Sequence, residues 1–101
     1  MFPQNVFPDT AEVNQQGHLA IGGCNTLELA EEYGTPVYIF DEATLRNRCR
    51  SFVREFRKLY PDTQVLYASK AYINPALAKI FQEEGLGLDV VSGGELAVAQ
   101  Y

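Results

Sequence analysis

One lysine in this chain stands where a lysine can do covalent chemistry. Lys70 closes the run Val65-Leu66-Tyr67-Ala68-Ser69-Lys70, and Asn74-Pro75 follows shortly after. An exposed lysine amine titrates near ~10.4 and is a poor nucleophile at neutral pH. At the rim of a core, desolvation disfavours the ammonium and frees the lone pair for Schiff-base chemistry with a carbonyl. Asp89 interrupts a second apolar run, Leu88-Asp89-Val90-Val91, and a carboxylate there can orient or neutralise a lysine on the neighbouring strand. Both residues also have plainer readings. Lys70 can be a strand-end side chain that buries its stem and keeps its ammonium in water, the reading that spacing alone favours. Asp89 can be an ion-pair partner of Lys70 or a turn cap, and position holds these level with the functional role.

Such a lysine needs a strand to carry it and a helix to follow it. Val65 to Ala68 is short, β-branched and aromatic, which reads as a strand buried on both faces. Asn74 offers an N-cap oxygen, and Pro75 fits the first helical position, where its missing N–H costs nothing. Lys70 therefore falls just past the carboxyl end of a strand, where parallel α/β architectures collect ligands. Strand alternation puts Leu66, Ala68 and Lys70 on one face and Val65, Tyr67 and Ser69 on the other. Small Ala68 leaves room there for a flat ligand.

The same unit recurs on both sides. Upstream, Val37 to Phe40 reads as a strand, Asp41 as an N-cap, and Leu45, Cys49, Phe52, Val53, Phe56 and Leu59 repeat at helical spacing over about 18 residues. Downstream, the pattern predicts a helix over Pro75 to Glu84 with Leu77, Ile80 and Phe81 inward, a stop at Gly85 and a strand over Leu88 to Val91. Ser92-Gly93-Gly94-Glu95 then has the capping-box pattern before another apolar run, which accounts for Glu95. Gly93-Gly94 could bring backbone N–H groups to an anion, and is equally the turn that the box needs. Three strands alternating with helices predict an α/β fold with a parallel sheet, the first βα units of a (β/α)8 TIM barrel. Such a barrel takes about 250 residues, so the chain reads as the front portion of a longer enzyme. Polar groups gather at one end of all three strands: Asp41, then Ser69 and Lys70, then Asp89 and Ser92. Before them, residues 1–17 read as an irregular lead-in with at most a short extended piece. His18 to Ile21 is a short strand ended by Gly22-Gly23, and Asn25 or Thr26 caps a helix over Leu27 to Tyr33 that stops at Gly34.

Composition narrows the function classes. The formal charge of −5 argues against nucleic acid or an anionic membrane as the main partner. Six of the eight basic residues, Arg46, Arg48, Arg50, Arg54, Arg57 and Lys58, fall within one expected helix. Arg46, Arg50, Arg54 and Arg57 lie opposite its apolar stripe, as on a solvated outer face. Cys24 and Cys49 lack metal-ligand or redox spacing, His18 stands alone, and no metal is expected. Free thiols, the absence of a signal-like start and of a long apolar run fit a soluble cytoplasmic protein.

Together, several strings are more specific than any one of them. Tyr67-Ala68-Ser69-Lys70-Ala71, Asn74-Pro75 and Gly85-Leu86-Gly87-Leu88-Asp89-Val90-Val91-Ser92-Gly93-Gly94-Glu95-Leu96 resemble the diaminopimelate decarboxylases, as do Gly34-Thr35-Pro36-Val37-Tyr38-Ile39-Phe40-Asp41 and, more loosely, Leu19-Ala20-Ile21-Gly22-Gly23. These belong to the pyridoxal-phosphate-dependent ornithine, lysine, arginine and diaminopimelate decarboxylases with an alanine-racemase-like barrel. The resemblance covers residues 18–101. It implies that Lys70 forms the Schiff base with pyridoxal 5'-phosphate, that Ala68 lies against this cofactor and that Asp89 stands near the anchoring lysine. It implies conversion of meso-2,6-diaminopimelate to L-lysine and CO2, the last step of lysine biosynthesis, by a homodimer. It also implies a division into residues 1–35, contributing to a separate β-rich domain, and residues 36–101, beginning the cofactor-binding barrel. Many relatives carry Asn where this chain has Tyr72. An ornithine or arginine decarboxylase is the alternative within the reaction class, and Gly34-Thr35-Pro36 tilts against it. A non-catalytic pyridoxal-phosphate-binding barrel is the alternative outside it, and a lone barrel has no use for the strand at His18 to Ile21.

Overall fold

The computed structural model describes Pro3 and residues 5–101; Met1, Phe2 and Gln4, part of the expected lead-in, lie outside the described residues. The chain divides into two compact units, the first ending at Leu45 and the second running from Arg46 to Tyr101.

The first unit is built on a small antiparallel meander of β1 (Glu12–Val13), β2 (Leu19–Ile21) and β3 (Cys24–Asn25) in the order β1-β2-β3. Gly22 and Gly23 do not merely end β2, as the sequence reading expects. They fold the chain back so that Ile21 faces Cys24. Both have positive φ, 59° and 80°, the backbone that a two-residue hairpin turn of matching twist requires and that glycine adopts without a Cβ clash. A two-residue β3 is too short to show an alternation, which is why the pattern hides it.

Asn25 ends β3 as a nearly buried hub. Its Oδ1 accepts from Leu27 N at 2.9 Å and so caps α1 (Thr26–Tyr33), while its Nδ2 faces Gln16 Oε1 at 3.2 Å and His18 Nδ1 at 3.0 Å. His18 thus has a partner that sequence proximity does not reveal. Gly34, with φ 82°, stops the helix as expected.

Val37 to Phe40, expected as a strand, enters no β-ladder among the described residues. A strand is defined by its partner, and no described strand lies alongside to take these N–H and C=O groups. Tyr38 is 91% exposed. Asp41 does cap the next helix: its Oδ2 accepts from Thr44 N at 3.2 Å and from the Thr44 hydroxyl, and Thr44 Oγ1 in turn accepts from Asp9 N at 2.8 Å. From this cap α2 (Glu42–Leu59) runs for 18 residues.

The second unit holds most of α2, then β4 (Leu66–Ala68), α3 (Pro75–Glu83), β5 (Gly87–Asp89) and α4 (Gly93–Gln100). Two strands, not three, form the parallel sheet, paired Leu66 with Gly87, Tyr67 with Leu88 and Ala68 with Asp89. β5 lies earlier than the expected Leu88 to Val91, because the pairing closes at Asp89, whose carbonyl accepts from Ser69 N at 3.0 Å. Val90 and Val91 lead instead to the cap of α4. Gly87 allows the close approach of the strands, since a Cβ there would come within 2.6 Å of Leu66 Cδ2. Asn74 caps α3 by accepting from Leu77 N at 2.8 Å, with Pro75 in the first turn as expected. Ser92 caps α4 by accepting from Glu95 N at 3.1 Å; Glu95 Oε1 reaches back to Val91 N, one residue before the position of the ideal capping box.

Burial of β4 is one-sided rather than two-sided. Leu77 and Phe81 of α3 are buried, and the Tyr67 ring stacks on Phe81 at 4.2 Å between centroids. Leu66 and Ala68, pointing the other way, are exposed, because no described element of this unit covers that face.

The basic face of α2 is also more than a solvated surface. Arg50 grips Glu84 with Nε and Nη2, at 2.7 and 3.1 Å, while Arg46 reaches Glu84 Oε2 at 2.8 Å and Glu83 at 2.9 Å. The Glu84 side chain is only 9% exposed. Beside this seam Cys49 is buried, and burial first, then the Glu84 charge, pushes its thiol up from the usual range. Hydrogen bonds from Arg50 and then Arg46 hold the Glu84 carboxyl below the usual carboxylate range. A carboxyl lowered in the folded state contributes stability that is present above its unfolded pKa of about 4.3 and is lost as pH falls through the folded value. Glu84→Gln is therefore expected to be less stable than the parent at neutral pH, with the gap shrinking below about pH 5. Chemical denaturation of both proteins between neutral and acid pH checks this; a gap independent of pH contradicts it.

Candidate functional site

Parallel register and alternation decide which side chains share a surface. Residues paired across a parallel ladder point to the same side, so Leu66, Gly87, Ala68 and Asp89 share one face, and Lys70 follows in the turn at the carboxyl end of β4. All three residues singled out by the sequence, Ala68, Lys70 and Asp89, are exposed on or beside this uncovered face. Tyr67 and Ser69 take the opposite side, against α3.

Lys70 lies in the turn after β4, closed by Ala71 N donating to Ala68 O at 3.1 Å. Downstream of it, the Tyr67 phenol donates to Tyr72 O at 2.7 Å, and Asn74 Nδ2 donates to Tyr72 Oη at 3.2 Å. The loop from strand to helix is thus tied to the strand, to β5 and to the α3 cap. Asp89 holds this turn by its backbone carbonyl, leaving its carboxylate exposed. Among the described residues, Lys70 and Asp89 form no ion pair, unlike Arg46, Arg50, Arg54 and Lys58. The plainer reading of Asp89 as the ion-pair partner of Lys70 is not what the structure places there.

The remaining candidates are structural in this arrangement. Asp41 and Ser92 are helix caps, Glu95 completes a cap, and Gly93-Gly94 forms the first turn of α4. Among the described residues, no group of three or more His, Cys, Asp or Glu is arranged to hold a metal ion, and no helix is long and apolar enough to cross a membrane. A cleft of about 730 Å³ in the second unit lies between α3 and α4 and is lined by Ala76, Ala78, Lys79, Val98 and Tyr101, and neither Lys70 nor Asp89 lines it. Its lining is mostly apolar, with Lys79 and Gln82 the polar side chains of α3 among it.

Sequence reading missed Ser69 as a packing residue. It is 2% exposed, and its Oγ has no hydrogen-bond partner among the described residues.

A lysine exposed just past the carboxyl end of a parallel strand, in a βα unit whose paired strand ends on an exposed aspartate, places polar groups at the end of the sheet where α/β proteins collect ligands. The chain belongs to the pyridoxal-dependent decarboxylases: the model of that family's pyridoxal binding domain matches residues 43–101. It is 53% identical over 93 residues to the diaminopimelate decarboxylase of Bacillus methanolicus, covering 92% of this chain and 22% of that protein. It is 52% identical over 90 residues to the diaminopimelate decarboxylase of Bacillus subtilis, covering 89% and 20%. The crystal structure of AQ1208 from Aquifex aeolicus matches it with a TM-score of 0.70 at 39% identity, over 90% of this chain and 22% of that one. The chain thus spans about a fifth of the length of these relatives.

Ser69→Ala removes a buried hydroxyl that has no partner among the described residues, so the desolvation cost of that group disappears with it. Its unfolding free energy is expected to stay level or rise by up to about 1 kcal/mol. A loss of more than this in chemical denaturation would mean that the hydroxyl has a partner after all.

Proposed function

We propose that the full-length protein is a pyridoxal 5'-phosphate-dependent diaminopimelate decarboxylase, releasing CO2 from meso-2,6-diaminopimelate to leave L-lysine. This chain supplies its amino-terminal part and begins the cofactor-binding (β/α)8 barrel. The observation that carries the reading is that the chain is about half identical to named diaminopimelate decarboxylases over nearly all its length, and Ala68, Lys70 and Asp89, exposed at the ends of the paired strands β4 and β5, are consistent with it.

The residues present fit such a cofactor. Lys70 is exposed just past the end of β4, and small Ala68 and Asp89, paired across the ladder, are exposed at the same end of the sheet. When bound, pyridoxal phosphate supplies an electron sink for the pair left behind when CO2 departs. Lys70 would be the residue that holds the cofactor, through its Nζ, and once released would be able to carry a proton. Asp89 would orient a cationic amine there, and Ala68 would leave room for a flat ring. Contacts to the phosphate, the ring nitrogen and the distal end of the substrate come from residues beyond Tyr101. The working enzyme is a homodimer, and residues 1–35 join its β-rich domain.

In the full-length protein Lys70→Ala is expected to abolish turnover and the borohydride-reducible lysine adduct while leaving the fold intact. An adduct that persists in this variant would place the anchor on another lysine. Asp89→Asn is expected to lower kcat by roughly one to three orders of magnitude, about 1.4 to 4 kcal/mol, with little change in melting temperature, because asparagine keeps the shape. A lowered melting temperature with unchanged turnover per folded molecule would reduce Asp89 to a structural residue.

A further inference from the structure

We infer that Tyr67 is a positioning residue for Lys70, setting the turn that presents the amine through the hydrogen bond from its phenol to the backbone carbonyl of Tyr72. The inference rests on the reading of Lys70 as the amine that anchors pyridoxal phosphate. Tyr67 faces α3 through its stack on Phe81, on the side of β4 away from Leu66 and Ala68, and its phenol meets the backbone of the turn. Its ring is fixed by stacking on Phe81, 3% exposed, with centroids 4.2 Å apart and planes 27° from parallel. From this anchored ring the hydroxyl reaches round the strand end to Tyr72 O at 2.7 Å, two residues beyond Lys70.

The chain from Tyr67 to Tyr72 is thereby closed into a loop that carries Lys70. Inside it Ala71 N bonds Ala68 O, and on its flank Ser69 N bonds Asp89 O. The backbone before Lys70 is held by the sheet, and the backbone after it is held by Tyr67. The Tyr72 ring is tied separately, to Asn74 Nδ2, while Asn74 Oδ1 caps α3. A nucleophile's reach depends on where its Cα is held, and small misplacements cost rate steeply. Without the phenol, the half-turn after Lys70 keeps its local bonds and loses its tie to the packed strand.

The test uses the full-length protein stripped of cofactor, with pyridoxal phosphate as the probe. Tyr67→Phe keeps the ring and its stack on Phe81 and removes only the hydroxyl. Expected is a capture rate into the borohydride-reducible adduct about three- to tenfold slower than the parent, a similar fall in kcat with KM for substrate unchanged, and the melting temperature nearly unmoved. Tyr72→Asn retains the accepting carbonyl and is expected to slow capture far less. Peptide mapping of the reduced adduct separates the two readings. An adduct on Lys70 with capture as fast in Tyr67→Phe as in the parent overturns the positioning role alone. So does slowing in Tyr72→Asn as large as in Tyr67→Phe, because the ring contact would then carry the effect. An adduct on another lysine in the parent overturns the anchoring reading, and the role of Tyr67 with it.

Discussion

The pairing of β4 with β5 is the constraint on which the second unit depends. Two short parallel strands cannot stand alone in water; their ladder persists because α3 lays Leu77 and Phe81 against one side, where Tyr67 meets Phe81. Parallel strands need a crossover, and α3 is that crossover, so the element that closes the topology also supplies the core. The result is an asymmetric sheet. The face that α3 covers holds the packing, and the opposite face is left for Ala68, Asp89 and Lys70. Stability and chemistry are divided between two sides of the same few residues.

Much of this division was legible in the sequence. The short β-branched and aromatic run at 65–68, followed by Asn74-Pro75, marked a strand and a capped helix, though it suggested burial on both faces where the structure has one. The glycine and asparagine signals at Gly34, Asn25 and Asn74, and the serine at Ser92, landed on real helix ends because capping is a local matter of one side chain and the next few N–H groups. Burial and pairing were less legible because they are not local. Val37 to Phe40 has every strand-like residue type and no ladder, while Cys24–Asn25 has no strand-like run and does pair. Nothing in the spacing of Arg46 and Arg50 announces that their partners are Glu83 and Glu84 at the far end of α3, and the same argument covers the reach of Tyr67 to Tyr72.

The candidate site divides along the same line. Strand register accounts for Ala68 and Asp89, paired across the ladder, and Lys70 follows in the turn after β4. What holds the Lys70 turn was not legible in this way, since it is made of backbone carbonyls. These accept from Ser69, Ala71 and Tyr67, and a carbonyl belongs to every residue alike. In this unit the identity of the candidate lysine is a property of the sequence, and the hold on its turn is a property of the fold.

The two cysteines gain a use from their contrasting settings. Cys24 is exposed in the first unit, and Cys49 is buried in the second beside the Arg46–Glu84–Arg50 seam, its thiol pushed up. A thiolate-selective alkylating agent therefore meets one thiol at once and the other only when α2 and α3 part, since the thiolate is the reactive form and burial denies access to it. Without any engineered label, the chain carries a clock for the opening of its second unit and, in Cys24, an internal standard to read it against.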